Sequence, residues 1–494
     1  MINTKIISTY KDLEILGRSK KKIGLCHGVF DIVHNGHIMH LKSAKKQVDK
    51  LVVSITDDEF VKKGPNQPIN NSEKRLSFLS SIEFVDYVFI NKTSTSEKVV
   101  KHLKPKIYFK GKDYLKGDFT NNLNKEKKII KNFGGKTVFT NTEVMSSSKI
   151  INNNFSIWSN QQKNFLKGIS QKYDHEYFVR LFEKLDKMEI NLIGEVILDK
   201  YIFVSSQGLT SKDPAMSMLN EKSITIPGGV LAVAEVFSQF VNTVNLYTAT
   251  NNSSLKYLKK NKKIKIFNLD EKRKTQIKSR FINENRSEKI LQVTNFKNDE
   301  KPIIRFKEKI KKLKSKLKNN LVICDYGIGF FNGEFIKFLD SVKIKKFLNV
   351  QTNSLNLGFN QFTKYKEYHY LCLDRREWEI GLKNQKIDDK ILFNFSNKNK
   401  KNLFTLTDGK FGSYLYSNKN KYYAPVFISK TIDTTGCGDA YFAITSLLIL
   451  IGADKEIIPF LGNIYAGMHG QFYGNKAIVN KTSFLNYLKS VINF

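Results

Sequence analysis

The chain has few cysteines and few acids for its length of 494 residues. Its four cysteines, Cys26, Cys324, Cys372 and Cys437, lie far apart and form no C-x-x-C pair. Neither a disulfide framework nor a zinc site is therefore indicated. No apolar run reaches membrane-spanning length, so no membrane insertion is expected. The segment Met1–Lys5 lacks the apolar region of a signal peptide, and a reduced cytoplasmic location is the expectation. Only 46 acidic residues stand against 82 basic ones, a formal net charge of +36. Such a field attracts phosphorylated small molecules, nucleic acid or anionic membrane. The basic residues are mostly lysines scattered through Asn- and Ile-rich sequence, with no Arg stripe and no aromatic interleaving. Nucleic acid is therefore not expected as a partner.

What is present is enough apolar residue, 41% of the chain, for more than one globular core. From residue 22 to about 150, strand-like and helix-like segments alternate. Strands are expected at Ile23–Cys26, Leu51–Ile55, Tyr87–Ile90, Ile107–Phe109 and Lys136–Phe139, with helices at Ser72–Ile82, Ser96–Leu103 and Asn124–Asn132. That alternation predicts α/β architecture, a Rossmann-like parallel sheet covered on both faces. Polar residues at 152–174 read as a linker. A helical pattern from His175 to Met188 and a strand at Ile190–Ile193 then open a second α/β domain, 175–494, which does not repeat the first.

The first chemical signal is Cys26–His37. A buried strand opens into a small-residue turn with His34 and His37 three apart, and helical spacing follows in Ile38, Leu41 and Ala44. Such a strand, turn and helix N-terminus make a phosphate cradle, because unpaired backbone N–H groups and the helix dipole face the ligand. The two imidazoles at its mouth are placed to donate to phosphate oxygens. With Gly28-Val29-Phe30-Asp31 ahead of it, this H-x-G-H motif resembles that of the cytidylyltransferase-like nucleotidyltransferases.

The resemblance implies further roles within residues 1–151. His34, His37 and Lys45 would stabilise the transferring and leaving phosphates. Gly28, Phe30, Arg75, Lys110 (in Lys110-Gly111-Lys112-Asp113-Tyr114) and the Ser146-Ser147-Ser148 turn would bind nucleotide. Asp31 and Asp113 would bind the second substrate.

The second signal is Asp433-Thr434-Thr435-Gly436-Cys437-Gly438-Asp439, a small-residue loop entering an apolar helix. The N–H groups of Gly436, Cys437 and Gly438 suit an anion hole, and Asp439 suits a base for an acceptor hydroxyl. The run resembles the D-T-x-G-A-G-D signature of the ribokinase-like sugar kinases. That resemblance implies a nucleotide-side turn at Thr407, Gly409 and Gly412. It implies Mg²⁺ organisation by Asp374 and Glu377, and sugar contacts at Asp199, Gly228 and Gly229. The small β-lid of that fold would come from residues 200–226 and 276–294.

Together the two regions resemble the bifunctional enzymes of ADP-heptose synthesis, with the domain order reversed. The resemblance implies a kinase acting on a sugar phosphate at its anomeric hydroxyl, then nucleotidyl transfer from ATP (or CTP), with Mg²⁺. It also implies a homodimer formed through the kinase lids and a product destined for surface polysaccharide. The alternative is an active nucleotidyltransferase whose kinase-like half is a degenerate scaffold. Departures gather at the sugar end, where Ala232 stands for the family's Asn and Lys212 for an acidic lid residue.

Overall fold

A computed structural model describes residues 5–61, 68–111, 122–140, 158–258, 261–286, 288–295, 313, 316–354, 356–399, 402–428 and 431–493. The chain divides into two compact units, Met1–Val179 with Thr482–Phe494, and Arg180–Lys481.

The first unit is built on six strands, β1 (Ile6–Ile7), β2 (Ile23–Gly28), β3 (Lys50–Thr56), β4 (Tyr87–Asn91), β5 (Ile107–Gly111) and β6 (Lys136–Thr140). All pair in parallel in the order β1-β4-β3-β2-β5-β6. Period-2 alternation divides their side chains between two cores. Leu25 and Val52 face one core with Phe89 and Tyr108, while Cys26, Val53 and Ile55 face the other with Leu41 and Leu79. A sheet covered on both faces needs such continuous apolar strands, as the sequence anticipated. From β2 the chain winds to β3 and β4 on one side, then returns to β5 on the other. That reversal opens a crevice at the carboxyl ends of β2 and β5, where ligands of open α/β sheets bind.

The stretch expected as a linker contains a helix, Asn160–Lys172. Its polar face disguised it. Ser159 and Gln162 form a reciprocal capping box at its start, and Leu166 and Ile169 are its buried side chains.

The second unit carries a nine-stranded sheet and a four-stranded lid. The strands are β7 (Glu189–Gly194), β8 (Val196–Leu209), β9 (Met216–Gly229), β10 (Thr243–Thr248), β11 (Ile264–Asn268), β12 (Gln276–Asn283), β13 (Glu288–Asn295), β14 (Asn320–Asp325), β15 (Lys345–Val350), β16 (Tyr370–Asp374), β17 (Leu403–Thr407), β18 (Ser413–Ser417) and β19 (Asn420–Ala424). The large sheet runs β11-β10-β7-β14-β15-β16-β17-β18-β19, and the lid runs β13-β12-β8-β9. The large sheet is parallel as far as β17, and two antiparallel strands close its edge. Its point of reversal lies between β7 and β14, so the crevice opens beside Gly194 and Asp325. Both lid segments expected from the sequence are present.

Candidate active sites

At the end of β2, the chain turns through Phe30, a non-glycine residue at φ 51°. That left-handed conformation is strained for a side chain with a Cβ. Three interactions hold it. Phe30 is buried and packs on the His37 ring, with centroids 5.1 Å apart. Asp31 accepts from the amides of Ile69 and Asn70, both at 2.9 Å. Arg75, without exposed side-chain surface, donates to the carbonyls of Val29 (2.6 Å), Asn70 and Thr56 (2.9 Å each), and to Asp58 (2.6 Å).

His34 then occupies the N-cap position of the Asn35–Lys45 helix, which no side chain caps. The rings of His34 and His37 stack with centroids 3.8 Å apart. Neither ring nitrogen of His34 has a hydrogen-bond partner among the described residues. Burial lowers the pKa of His34, so its imidazole is neutral at pH 7. A neutral ring offers one N–H donor. Uncapped helix amides beside two stacked imidazoles can receive a phosphate.

Four expected roles in this unit need correction. Arg75 and Asp31 spend their polar atoms on the loop, and act as its braces rather than as ligand contacts. Lys45 lies eleven residues beyond His34, roughly 16 Å along the helix at about 1.5 Å per residue. Its ammonium is held by Asp86 and by the Asp49 carbonyl, both at 2.6 Å. Helical order in sequence put it near the histidines, whereas the length of the helix carries it away. Lys110 does stand at the crevice end of β5, but it is buried and its ammonium lies 3.8 Å from Glu126. Gly28 ends β2 under the Phe30 ring, where a Cβ would stand 3.1 Å from that ring. Asp113, Ser146, Ser147 and Ser148 lie outside the described residues.

In the second unit, Gly436 (φ 83°) turns the chain into the helix Cys437–Leu450, which again has no side-chain cap. A Cβ on Gly436 would stand 2.9 Å from both His469 and Asn475, so glycine is required by conformation and by space. Asp439 sits in the first turn, and its Oδ1 accepts from the Tyr326 hydroxyl (2.9 Å) and from Gln351 Nε2 (3.0 Å). Burial raises its pKa to about 7. A base that titrates near its working pH is suited to taking a proton from a hydroxyl. The Cys437 thiol is pushed up to about 12, chiefly by burial, and is therefore neutral.

The crevice supports this base from behind. Glu195 follows β7 and accepts from the amides of Tyr326 (2.8 Å), Ile328 (3.1 Å) and Phe330 (2.8 Å). The loop that carries the Tyr326 hydroxyl is thus wound around one buried carboxylate. Burial and the neighbouring Asp325 raise Glu195 to about 7. Tyr326 and Gln351 had no assigned role in the sequence reading. The signal for Tyr326 was the turn Asp325-Tyr326-Gly327 after the apolar run Leu321–Cys324.

The lid contributes Asp199, whose carboxylate is ion-paired with Arg280 and lies against Gly228. Gly228 has no room for a Cβ beside that carboxylate. Gly229 is the N-cap of the Val230–Ser238 helix. Lys289 of β13 reaches Asp433 (2.6 Å) and Thr435 (2.8 Å). Burial raises the pKa of Asp433, but Lys289, the Tyr201 hydroxyl and the Thr435 amide outweigh it and hold the carboxyl below the usual range.

The turn after β17 holds Thr407, Gly409 and Gly412, and closes with the Asp408 amide on the Gly412 carbonyl at 2.9 Å. Arg375 grips Asp408 from below with two bonds, at 2.9 and 2.5 Å.

The residues implied for Mg²⁺ organisation stand together at a helix start. Asp374 and Glu377 form a reciprocal capping box on the helix Arg375–Gly381, and Glu377 also accepts from the Thr352 amide at 3.0 Å. Burial and Asp374 push Glu377 up to about 8. Among the described residues, no group of three or more His, Cys, Asp or Glu side chains could hold a metal ion. Lys212 is exposed at the tip of the β8–β9 hairpin, so its charge faces solvent.

Residues 25–153 match the Cytidylyltransferase-like family model. Two relatives are the bifunctional protein HldE of Campylobacter fetus and that of Alcanivorax borkumensis. The first is 46% identical over 112 residues, 22% of this chain and 24% of the relative. The second is 34% identical over 134 residues, 26% and 27% of the two chains. The chain thus spans about a quarter of the length of the curated relatives it matches. Among solved structures, phosphofructokinase-2 from Escherichia coli in complex with substrates and products superposes with a TM-score of 0.50 at 12% identity, over 61% of this chain and 99% of that one. At that identity the likeness establishes the fold. Residues 25–153 carry a cytidylyltransferase-like domain, and the chain adds to it an α/β unit with the fold of phosphofructokinase-2.

Proposed function

We propose that the protein makes a nucleotide-activated sugar in two steps, one in each unit. In the second unit, Asp439 takes the proton from the anomeric hydroxyl of a sugar phosphate. The freed oxygen attacks the γ-phosphorus of ATP, and ADP leaves. The observation that carries this step is Asp439, buried at the mouth of an uncapped helix and oriented by Tyr326 and Gln351. The helix amides receive the negative charge that develops.

The product of that step is a sugar bisphosphate, and a separate phosphatase must hydrolyse its original phosphate to leave the sugar 1-phosphate. In the first unit, an oxygen of this sugar 1-phosphate attacks the α-phosphorus of a nucleoside triphosphate, ATP or CTP, and pyrophosphate leaves. No protein nucleophile is needed, because positioning and charge stabilisation suffice. His34 and His37 donate to the phosphates. Mg²⁺ would enter with the nucleotide substrate and neutralise its phosphates. The heptose reading of the sugar follows the resemblance of the two motif sets to the bifunctional enzymes of ADP-heptose synthesis. No described helix is long and apolar enough to cross a membrane, and the substrates we assign are small phosphorylated molecules.

We further assign a homodimer formed through the lids. Leu209, Met216, Leu219, Leu291 and Val293 are exposed lid hydrophobics, each more than 45% accessible. Pairing would cover them. Light scattering on the natural protein and on Leu291→Lys tests this, with a dimer expected for the first and a monomer for the second.

The reaction is tested by incubating the protein with ATP, alone or with CTP, a panel of sugar phosphates and a phosphatase selective for the non-anomeric phosphate, read by mass spectrometry. A nucleotide sugar with equimolar ADP and pyrophosphate is expected. ADP release without any sugar dependence would refute the scheme.

A further inference from the structure

Strand β12 pairs with β8 in a register that sets Gln276 opposite Ile197, Lys278 opposite Asp199 and Arg280 opposite Tyr201. Alternation puts these three β12 side chains on one face of the lid. That face is turned to the crevice, since Arg280 pairs with Asp199 and the Tyr201 hydroxyl donates to Asp433 at 2.6 Å. Arg280 is fixed by its ion pair and by the Tyr201 ring, 5.6 Å from its guanidinium carbon.

Its two neighbours are not satisfied within the protein. Gln276 has no exposed surface, yet neither its amide oxygen nor its nitrogen has a partner among the described residues. Leaving such a group unbonded carries its full desolvation penalty. Lys278 makes no hydrogen bond or ion pair with the described residues, although it lies in the field of Asp199, Arg280, Asp439 and Glu195. Burial lowers its pKa, with Asp199 opposing the shift. The row therefore offers an unused amide, an unused ammonium and a braced guanidinium, against one committed carboxylate, Asp199.

We propose that Gln276, Lys278 and Arg280 form a specificity subsite for an anionic phosphate carried by the acceptor, apart from the hydroxyl that Asp439 deprotonates. Lys278 supplies the charge. The Gln276 amide donates to one phosphate oxygen, and Arg280 holds Asp199 and its own fork in place. The subsite explains why a lid strand that closes over a sugar carries two cations in three residues. It deepens the kinase reading above and rests on it for the position of the acceptor.

The test uses the full-length protein with Mg²⁺ and a non-hydrolysable ATP analogue, titrated calorimetrically with hexose and heptose phosphates and with the same sugars lacking phosphate. The natural protein is expected to prefer the phosphorylated forms. Lys278→Met should weaken their binding by about tenfold or more, as loss of a desolvated charge partner does. Binding of the unphosphorylated sugars should change less than about twofold on that scale. Lys278→Arg keeps the charge and should retain most of the affinity, which separates loss of charge from loss of fold. Gln276→Leu should cost a few-fold.

Equal loss for both sugar classes in Lys278→Met would overturn the proposal. So would a fall in kcat with unchanged affinity, which would place the lysine on the transferred group instead. No preference for phosphorylated sugars across the panel would overturn it too. Turnover of an unphosphorylated sugar alone would remove the subsite and leave the kinase standing. Lys278-dependent binding without turnover would do the reverse.

Discussion

The two sites share a frame and differ in their electrostatics. Each lies at the carboxyl ends of parallel strands beside a helix that no side chain caps. In the first unit the groups at the mouth are imidazoles, one of them kept neutral by burial. In the second they are buried carboxylates raised to about 7, Asp439 and Glu195. The difference follows the chemistry. Nucleotidyl transfer begins from a phosphate oxygen that is already ionised, so donors suffice. Phosphoryl transfer to a sugar hydroxyl must remove a proton, so a base is needed.

The sharpest way to separate the sites is Asp439→Asn. It keeps size and hydrogen-bonding capacity but removes the base. Sugar-dependent ADP formation should fall by roughly a hundred- to ten-thousandfold, with pyrophosphate release from supplied sugar 1-phosphate unchanged. The reciprocal variants, His34→Ala and His37→Ala, should cost on the order of a hundredfold in pyrophosphate release and leave the kinase step intact. Loss of both activities in either case would erase the distinction.

The pH profiles should differ as well. Only ionised Asp439 is a base, so kinase kcat/KM should rise through pH about 7 and then level. The transferase has no group that must lose a proton to act as a base, so its profile should not follow that rise. Stability carries the opposite sign. The folded pKa of Asp439 lies above the unfolded value of 3.8, so its contribution is full below about pH 4 and is lost as pH rises through about 7. Denaturant titrations should therefore show Asp439→Asn gaining on the natural protein over that range.

Two smaller effects test the corrected roles in the first unit. Arg75→Met leaves the carbonyls of Val29 and Thr56 and the Asp58 carboxylate without their donor, and should destabilise by about 3 kcal/mol in chemical denaturation. Lys45→Ala removes a partly exposed ion pair, and should cost no more than about 1 kcal/mol with transferase activity little changed. A hundredfold loss of activity there would restore the phosphate-clamp reading.

These corrections show how far the sequence could be read. Strands buried on both faces announced themselves as apolar runs, and the two phosphate-binding turns stood out because small residues, histidine and aspartate recur in a fixed order. The fold class and the positions of His34, His37, Gly436 and Asp439 were legible for that reason. Residues that act by reaching across the fold were not. Arg75 looks like a ligand contact until its guanidinium is seen bound to three carbonyls. Lys45 looks close to the histidines because sequence distance hides the length of a helix. Asp374 and Glu377 were read for Mg²⁺, and that their oxygens also cap a helix reciprocally is visible only in the structure. Tyr326 and Gln351 converge on Asp439 from separate strands, a relation that no local pattern encodes.

One experiment bears most directly on the two-step account. The protein and Asp439→Asn are each given a sugar phosphate with ATP, CTP and a phosphatase selective for the non-anomeric phosphate, and then the matching sugar 1-phosphate, with products followed by mass spectrometry. The natural protein should make nucleotide sugar from both acceptors, and Asp439→Asn only from the sugar 1-phosphate. Nucleotide sugar made by Asp439→Asn from both acceptors at the natural rate would contradict the account.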